Sequence, residues 1–150
     1  MEYWLLKSEP DVYGIDNLKK DKIEPWNGVR NYKARNYMKS MKRKDRGFFY
    51  HSNAKPSGII GICEIIREHY PDPTQFDPKS PHYDPKSSPD NPRWYCVDVK
   101  FIKKFPRILS LKEIQLDSLL QQMTVAKKGN RLSITPVKEE EWERILTLLQ

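Results

Sequence analysis

The sequence predicts an α+β fold in which helices flank a small, barrel-like β-sheet. Residues 94–105 alternate apolar and polar side chains, which is the period of a half-buried strand. Residues 58–67 are apolar on both faces, as expected for a central strand. Residues 31–43 instead place apolar side chains at helical spacing, so the chain contains both kinds of element.

Three further segments complete the predicted sheet. Residues 3–7 and 47–52 are apolar runs of strand length, and a short strand also fits residues 131–134. Together with the two long segments they make about five strands, which is enough for a small sheet.

The other helices are predicted from their capping residues. Ser110 and Glu113 form a capping-box pair that opens a helix at the next residue. Thr135 and Pro136 are expected to open the last helix, because proline suits the first helical position. The acidic residues 139–141 suit the positive N-terminal end of that helix. Its expected buried stripe consists of Trp142, Ile145, Leu146 and Leu149.

The composition indicates one folded domain, residues 1–150. Aromatic residues make up 11% and hydrophobic residues 37% of the chain, whereas disordered chains lack such residues. No apolar run approaches the roughly 20 residues of a membrane span. The acidic residue at position 2 argues against a secretion signal. We therefore expect a monomer that is not secreted and has no membrane partner, cytoplasmic in a bacterium or nuclear in a eukaryote.

Residue spacing predicts neither a metal site nor a catalytic motif. Cys63 and Cys96 lie in apolar segments without a metal-ligand partner nearby, and are expected to be half-buried free thiols. His51, His69 and His82 are far apart, and no zinc-protease, serine-hydrolase or phosphate-loop pattern occurs. The sequence therefore predicts a protein that is not an enzyme and has no cofactor.

Residues 70–93 form a proline-rich stretch with seven of the twelve prolines. Such a stretch is usually a flexible linker. Because it also contains Tyr70, Phe76, His82 and Tyr83, we expect a long loop that packs onto the domain through its aromatic residues. An alternative is that this loop captures a protein partner.

The positive charge is concentrated in one segment. The chain carries a net charge of +7, and residues 30–46 hold eight basic residues and one acidic residue. The rest of the chain is neutral, so the whole excess lies there. A local basic patch is typical of a protein that binds a polyanion, although a solvated helix face would look the same. We expect the basic residues to share one helix surface.

A tryptophan in a polar loop predicts a binding pocket. Trp26 precedes the basic segment, and an indole in a loop either packs in the core or stacks on a ligand. The predicted strands 3–7 and 47–52 both close with polar residues, Lys7, Ser8 and Glu9 in the first and His51, Ser52 and Asn53 in the second. Strand ends gathered around an indole would form a small pocket with a polar rim. Such a pocket suits one nucleobase, stacked on the aromatic ring and read along its edge.

Five motifs resemble the EVE domain family of the PUA-like superfamily. They are W-L-L-K-S-E-P at 4–10, W-N-G-V-R-N-Y-x-A-R-N at 26–36, F-F-Y-H-S at 48–52, W-Y-x-V-D-V at 94–99 and R-L-S-I-x-P-V at 131–137. The resemblance implies a PUA-like β-barrel flanked by helices. It also implies binding of DNA or RNA that carries a modified base, with modified cytosine proposed for this family.

The resemblance extends to the related YTH domains, which read methylated adenine. Lys7, Ser8 and Trp26 are similar to their pocket residues. Glu9 stands where YTH domains have asparagine, and a carboxylate accepts but does not donate, so it favours an exocyclic amine over a carbonyl.

The sequence and the resemblance together predict two sets of site residues. The predicted base-binding residues are Lys7, Ser8, Glu9, Trp26, Val29, Arg30, Asn31, Arg35, Asn36, His51, Ser52, Asn53, Arg131, Leu132 and Ser133. The predicted phosphate contacts are Lys33, Lys39, Lys42 and Arg43, with Arg30 and Arg35 also meeting flanking phosphates. Alternatively, Arg35 and Asn36 fix the Trp26 loop. A further alternative is an enzyme that hydrolyses or modifies nucleotides with His51 and Glu9 as its acid–base pair.

Overall fold

The computed structural model describes all 150 residues and has the predicted α+β architecture, with six strands and five helices. The strands are β1 (Tyr3–Ser8), β2 (Ile23–Pro25), β3 (Arg46–His51), β4 (Gly58–Pro71), β5 (Tyr95–Ser110) and β6 (Ile134–Val137). The helices are α1 (Pro10–Tyr13), α2 (Ile15–Asp21), α3 (Tyr32–Ser40), α4 (Leu111–Leu116) and α5 (Glu139–Leu149). Short 3₁₀ turns lie at Pro73–Phe76 and Thr124–Ala126.

Helices α1 and α2 and strand β2 have no counterpart in the sequence prediction. None of the helices is long and apolar enough to cross a membrane.

The strands form one mixed sheet in the order β2-β5-β4-β3-β1-β6. Strands β1 and β3 run parallel, and the other neighbouring pairs are antiparallel. No ladder joins the edge strands β2 and β6, so the sheet does not close into a barrel. The sheet therefore has an opening between the edge strands β2 and β6.

Each face of the sheet carries its own hydrophobic core. Leu6 and Phe49 face one core, which α2 and α3 cover, whereas Leu5 and Phe48 face the other, which α4 and α5 cover. Neighbouring residues on a strand point to opposite faces, so apolar runs in β1 and β3 supply both cores.

The two cysteines lie in the first core. Cys63 and Cys96 are free, as expected, but fully buried rather than half-buried. Burial raises the pKa of the Cys63 thiol to about 12 and that of Cys96 to about 11.

The last helix begins later than the sequence predicts. Thr135 and Pro136 lie in β6, where they pair with Leu5 and Trp4 of β1, and α5 begins at Glu139. The prediction was wrong because proline is also tolerated on an edge strand, where its missing N–H breaks no ladder. The acidic first turn and the buried Trp142, Ile145 and Leu149 are confirmed.

The basic segment is not one helix surface. Helix α3 ends at Ser40, and Lys42 and Arg43 lie in the turn that follows. In the segment that follows the helix, the buried carboxylate of Asp45 accepts a hydrogen bond of 2.9 Å from the Lys42 N–H and one of 3.1 Å from Nε1 of Trp4. The buried face predicted for the helix is confirmed, since Ala34 and Met38 are fully buried.

The proline-rich loop packs onto the domain as predicted, but hydrogen bonds of polar residues hold it in place. Gln75 is fully buried, and its Nε2 donates to the carbonyl oxygens of Asp72 at 2.8 Å and of Trp94 at 2.7 Å. Its Oε1 accepts from the backbone N–H of Trp94 at 3.0 Å. Of the aromatic residues expected to anchor the loop, Tyr83 is exposed.

Candidate functional site

A pocket of about 400 Å³ lies where the two edges of the open sheet approach each other. Lys7 and Ser8, at the end of β1, and Ser133, just before β6, line one side. The chain from Glu24 on β2 to Arg30 lines the opposite side. That side consists of Glu24, Pro25, Trp26, Asn27, Gly28, Val29 and Arg30, and the other lining residues are Val12, Tyr13 and His82. The volume falls in the usual range for small-ligand sites.

Trp26 belongs to both the core and the pocket. Its backbone N–H continues β2 by donating to the carbonyl of Val97 at 2.7 Å. Its indole packs edge-to-face on Phe49, with ring centroids 5.5 Å apart, and is only 7% exposed. Trp26 is also one of the residues that line the pocket. Its packing in the core matches one alternative from the sequence, and stacking on a ligand stays a prediction.

A buried carboxylate holds the loop that follows Trp26. Asp72 is fully buried and accepts hydrogen bonds from the Gly28 N–H at 2.8 Å and from Nη1 of Arg30 at 3.1 Å. Its other oxygen accepts from the backbone N–H and the hydroxyl of Thr74. Burial alone would raise the pKa of Asp72, but these hydrogen bonds outweigh it and lower the pKa below its ordinary value. The pocket wall is thus tied to the proline-rich loop.

Arg30 lines the pocket as a structural residue. Nε and Nη2 both donate to the His82 carbonyl, at 3.1 and 2.8 Å, and Nη2 also donates to Thr74 Oγ1 at 3.0 Å. Nη1 donates to Asp72 and to the Val29 carbonyl. All five N–H groups of the guanidinium are therefore used inside the protein, which leaves none for a phosphate.

Gly28 is required at its position in the pocket wall, for two reasons. Its φ is +84°, and a Cβ there would lie 2.7 Å from Nε2 of His82. We expect Gly28→Ala to lower the free energy of unfolding by about 2 kcal/mol, from the left-handed backbone and the displaced imidazole. Gly129→Ala is the matched control, because φ there is +81° but nothing lies within 4 Å of the added Cβ. Equal losses in chemical denaturation of the two variants would contradict a role for His82.

Six of the predicted base-binding residues line the pocket, and others do not. The six are Lys7, Ser8, Trp26, Val29, Arg30 and Ser133. Glu9 lies outside it, where its carboxylate accepts a hydrogen bond from Asn53. His51 also lies outside, and its Nε2 accepts from the Ile15 N–H at 3.1 Å. Ser52 follows β3 and does not line the pocket.

Three further predicted residues organise the start of α3. Asn31 caps the helix, since its side chain accepts from the Ala34 N–H at 3.0 Å. Arg35 donates to Oδ1 of Asn36 at 2.9 Å and to the Arg93 carbonyl at 2.9 Å. These contacts join Arg35 to Asn36 and to Arg93 and do not reach the Trp26 loop, which the alternative from the sequence had them fix.

The remaining predicted residues are spread over the surface. Arg131 and Leu132 immediately precede Ser133, and Arg131 is exposed. Lys33 is exposed in the first turn of α3, and Nζ of Lys39 lies over the Tyr95 ring at 4.8 Å. Lys42 and Arg43 follow the far end of the helix. Lys33 therefore lies at the opposite end of α3 from Lys39, Lys42 and Arg43, and each helical residue between them adds about 1.5 Å.

Sequence reasoning missed about half of the pocket. The missed lining residues are Val12, Tyr13, Glu24, Pro25, Asn27, Gly28 and His82, and the buried anchor behind them is Asp72. Asn27 and Gly28 stand directly after Trp26, so their neighbourhood was a usable signal. Glu24 stands two residues before Trp26 and had the same signal, whereas His82 had none, because only the tertiary fold brings it to the pocket.

Comparisons with known proteins cover nearly the whole chain. Residues 2–148 match the model of the EVE domain family. Human thymocyte nuclear protein 1 is 40% identical over 164 residues, which cover 97% of this chain and 73% of that protein. The crystal structure of human THYN1 protein in complex with DNA containing 5-methylcytosine has a TM-score of 0.93 at 40% identity, and covers 100% of this chain and 98% of that chain. The crystal structure of a Pseudomonas syringae protein has a TM-score of 0.96 at 42% identity, with 99% of both chains covered.

Proposed function

The chain belongs to the EVE domain family, and we propose that it binds DNA through one modified cytosine held in the pocket beside Trp26. The observation that carries the proposal is the pocket itself. It has an aromatic wall, a polar rim and the volume for one heterocycle, at the open edge of the sheet. The similarity to the human protein crystallised with 5-methylcytosine-containing DNA supports the choice of base.

The pocket accepts a base only after it leaves the double helix. Trp26 is largely buried, so a base reaches it only by entering the gap between the β1–β6 edge and the β2 edge. Extrusion from a duplex costs a few kcal/mol. Stacking on an aromatic side chain returns roughly 1–3 kcal/mol per base. Contacts along the base edge and to the flanking phosphates supply the rest.

Exposed cations that lie close in the sequence to pocket residues are the candidates for those phosphate contacts. Lys127, Lys128 and Arg131 are exposed and lead directly to Ser133 in the pocket wall. Lys33 is exposed in the first turn of α3, which follows Arg30. Such contacts raise affinity for any sequence and weaken with salt.

The protein acts, on this proposal, as a reader without catalytic activity. An acid–base pair must reach the bound base. His51 accepts a hydrogen bond from backbone, and burial lowers its pKa. Glu9 is engaged by Asn53, and neither side chain lines the pocket. The proline-rich loop is likewise part of the pocket wall through His82, which argues against a separate role in capturing protein partners.

Filling the pocket tests the proposed function. Ser133→Tyr should place a ring in the pocket and weaken binding of an oligonucleotide with one 5-methylcytosine by about tenfold or more, since stacking is lost. Ser52→Tyr adds the same ring after a strand end outside the pocket and should leave the affinity unchanged. Fluorescence anisotropy with 5-methylcytosine and cytosine oligonucleotides measures both. Equal affinity of the wild-type protein for the two oligonucleotides would contradict the proposal.

Removing cations near the pocket should reduce the salt dependence of binding. The double variant Lys127→Ala and Lys128→Ala should weaken binding to modified and unmodified DNA alike, and lower the slope of log K against log salt by about 1–2. Lys42→Ala with Arg43→Ala removes the same charge at the far end of α3 and should have the smaller effect. The opposite ranking would place the DNA backbone along α3 instead.

A further inference from the structure

Two ionisable side chains in the pocket form no hydrogen bond or ion pair within the protein. Lys7 forms no side-chain hydrogen bond or ion pair, and its Nζ lies 5.8 Å from the centroid of the Tyr50 ring. Burial lowers the pKa of Lys7. The carboxylate of Glu24 also has no donor, and burial, followed by the charges of Asp21 and Asp98, raises its pKa. Both side chains are half-buried, so their charged groups are available to a ligand that enters the pocket.

The two groups occupy opposite sides of the pocket. Lys7 lies on β1, at one edge of the gap in the sheet, and Glu24 lies on β2, at the other edge. Both line the same volume of about 400 Å³ beside Trp26. A flat heterocycle in this volume would meet a cationic donor on one side and an anionic acceptor on the other.

We propose that Glu24 selects cytosine-type bases by accepting a hydrogen bond from the exocyclic amine, while Lys7 donates to the acceptor side of the same base. This inference rests on the proposed function, because it concerns the ligand of the same pocket. The carboxylate preference that the sequence attached to Glu9 belongs to Glu24, since Glu9 is bound to Asn53 outside the pocket.

The chemistry of the two pyrimidines gives the direction of selection. Cytosine presents an amine donor at position 4 and acceptors at N3 and O2, and carboxylates accept from that amine in DNA recognition. Thymine presents a carbonyl at position 4, which would face the carboxylate with no proton between them. An unsatisfied acceptor pair in a partly buried site costs affinity, so the site rejects thymine.

The matched ligands for a test are 5-methylcytosine and thymine, which carry the same methyl group and differ along the pairing edge. Each is placed once in an otherwise identical single-stranded oligonucleotide, so that no duplex must open. Wild-type protein should bind 5-methylcytosine about tenfold tighter than thymine. Glu24→Gln should reduce that ratio to near one, because the amide can turn either its oxygen or its N–H toward the base.

The control is Asp98→Asn, which neutralises a nearby carboxylate that does not line the pocket and can still accept from Tyr70. It should keep the tenfold ratio. Thermal unfolding should show Glu24→Gln at least as stable as the wild type, because the substitution removes a charge that burial and neighbouring acids disfavour.

The outcomes separate the inference from the function. If the wild type prefers 5-methylcytosine to both cytosine and thymine, and Glu24→Gln keeps the full preference over thymine, then Glu24 is not the selecting residue and the reader function stands. If Asp98→Asn lowers the ratio as much as Glu24→Gln, the effect is long-range charge and the inference fails. If the wild type binds all three bases equally, both the function and the inference are wrong.

Discussion

Asp72→Ala is expected to destabilise the protein by about 3 kcal/mol and to abolish base-specific binding. The carboxylate is fully buried, and its loss leaves one N–H of the Arg30 guanidinium and the N–H of Gly28 without that acceptor. Removing one partner of a buried pair costs more than the pair contributes, because the other charge stays behind. Urea denaturation gives the stability, and titration with a 5-methylcytosine oligonucleotide gives the binding.

The control for this variant lies in the same proline-rich loop. Asp77→Ala removes an exposed carboxylate that accepts only from the Lys79 N–H and has no contact with the pocket. It should change stability by no more than about 0.5 kcal/mol. Similar losses in the two variants would mean that Asp72 does not hold the pocket wall.

The pH dependence of stability gives a second readout for Asp72. Hydrogen bonds from Thr74, Gly28 and Arg30 depress its pKa in the folded state against the effect of burial. A depressed carboxyl pKa adds stability above the unfolded-state value of about 3.9, and that stability is lost as the pH falls through the folded-state pKa. Wild-type stability should therefore fall more steeply below about pH 4 than that of Asp72→Asn. Parallel pH profiles would contradict this account.

Trp26→Ala is expected to cost both stability and recognition. The indole is 7% exposed and packs on Phe49, so its removal should lower the free energy of unfolding by about 3–5 kcal/mol. The pocket also loses its aromatic wall, so the preference for 5-methylcytosine over cytosine should disappear. The alanine variant alone cannot separate the two effects.

Trp26→Phe separates them. A phenyl ring retains part of the packing on Phe49, so most of the stability should return, while the smaller ring stacks less well on a base. Binding, measured at a temperature at which circular dichroism shows both variants to be folded, should rank wild type above Trp26→Phe and both above Trp26→Ala. A phenylalanine variant with wild-type stability and wild-type preference would show that the indole does not contact the base.

The sequence alone identified the architecture because the fold depends on periodic hydrophobic patterns. Residues 58–67 and 94–105 were predicted to be strands; the first segment lies within β4, and the second lies within β5 except for Trp94. The capping box of Ser110 and Glu113 is present, with both hydrogen bonds formed. Local chemistry was ambiguous at Pro136, where an edge strand and a helix start both tolerate proline.

The candidate site was only partly predictable. Lys7, Ser8 and Trp26 carried local signals, because they end a strand or stand in a polar loop beside a motif. His82 carried none, since nothing near it in the sequence indicates that it faces the same volume as Lys7. Arg30 was predicted to contact phosphate, but its five N–H groups donate to acceptors in the protein that lie up to 52 residues away in the sequence.

The sequence determined which segments are strands and helices, where the positive charge lies, and which aromatic residue stands in a polar loop. What only the tertiary structure decided was which polar groups are free. A sheet that stops short of closing leaves a gap between β2 and β6, and hydrogen bonding inside the protein satisfies Arg30, Glu9 and His51 while leaving Lys7 and Glu24 unpaired. Pairing of polar groups depends on distances between remote segments, and a linear pattern does not contain those distances.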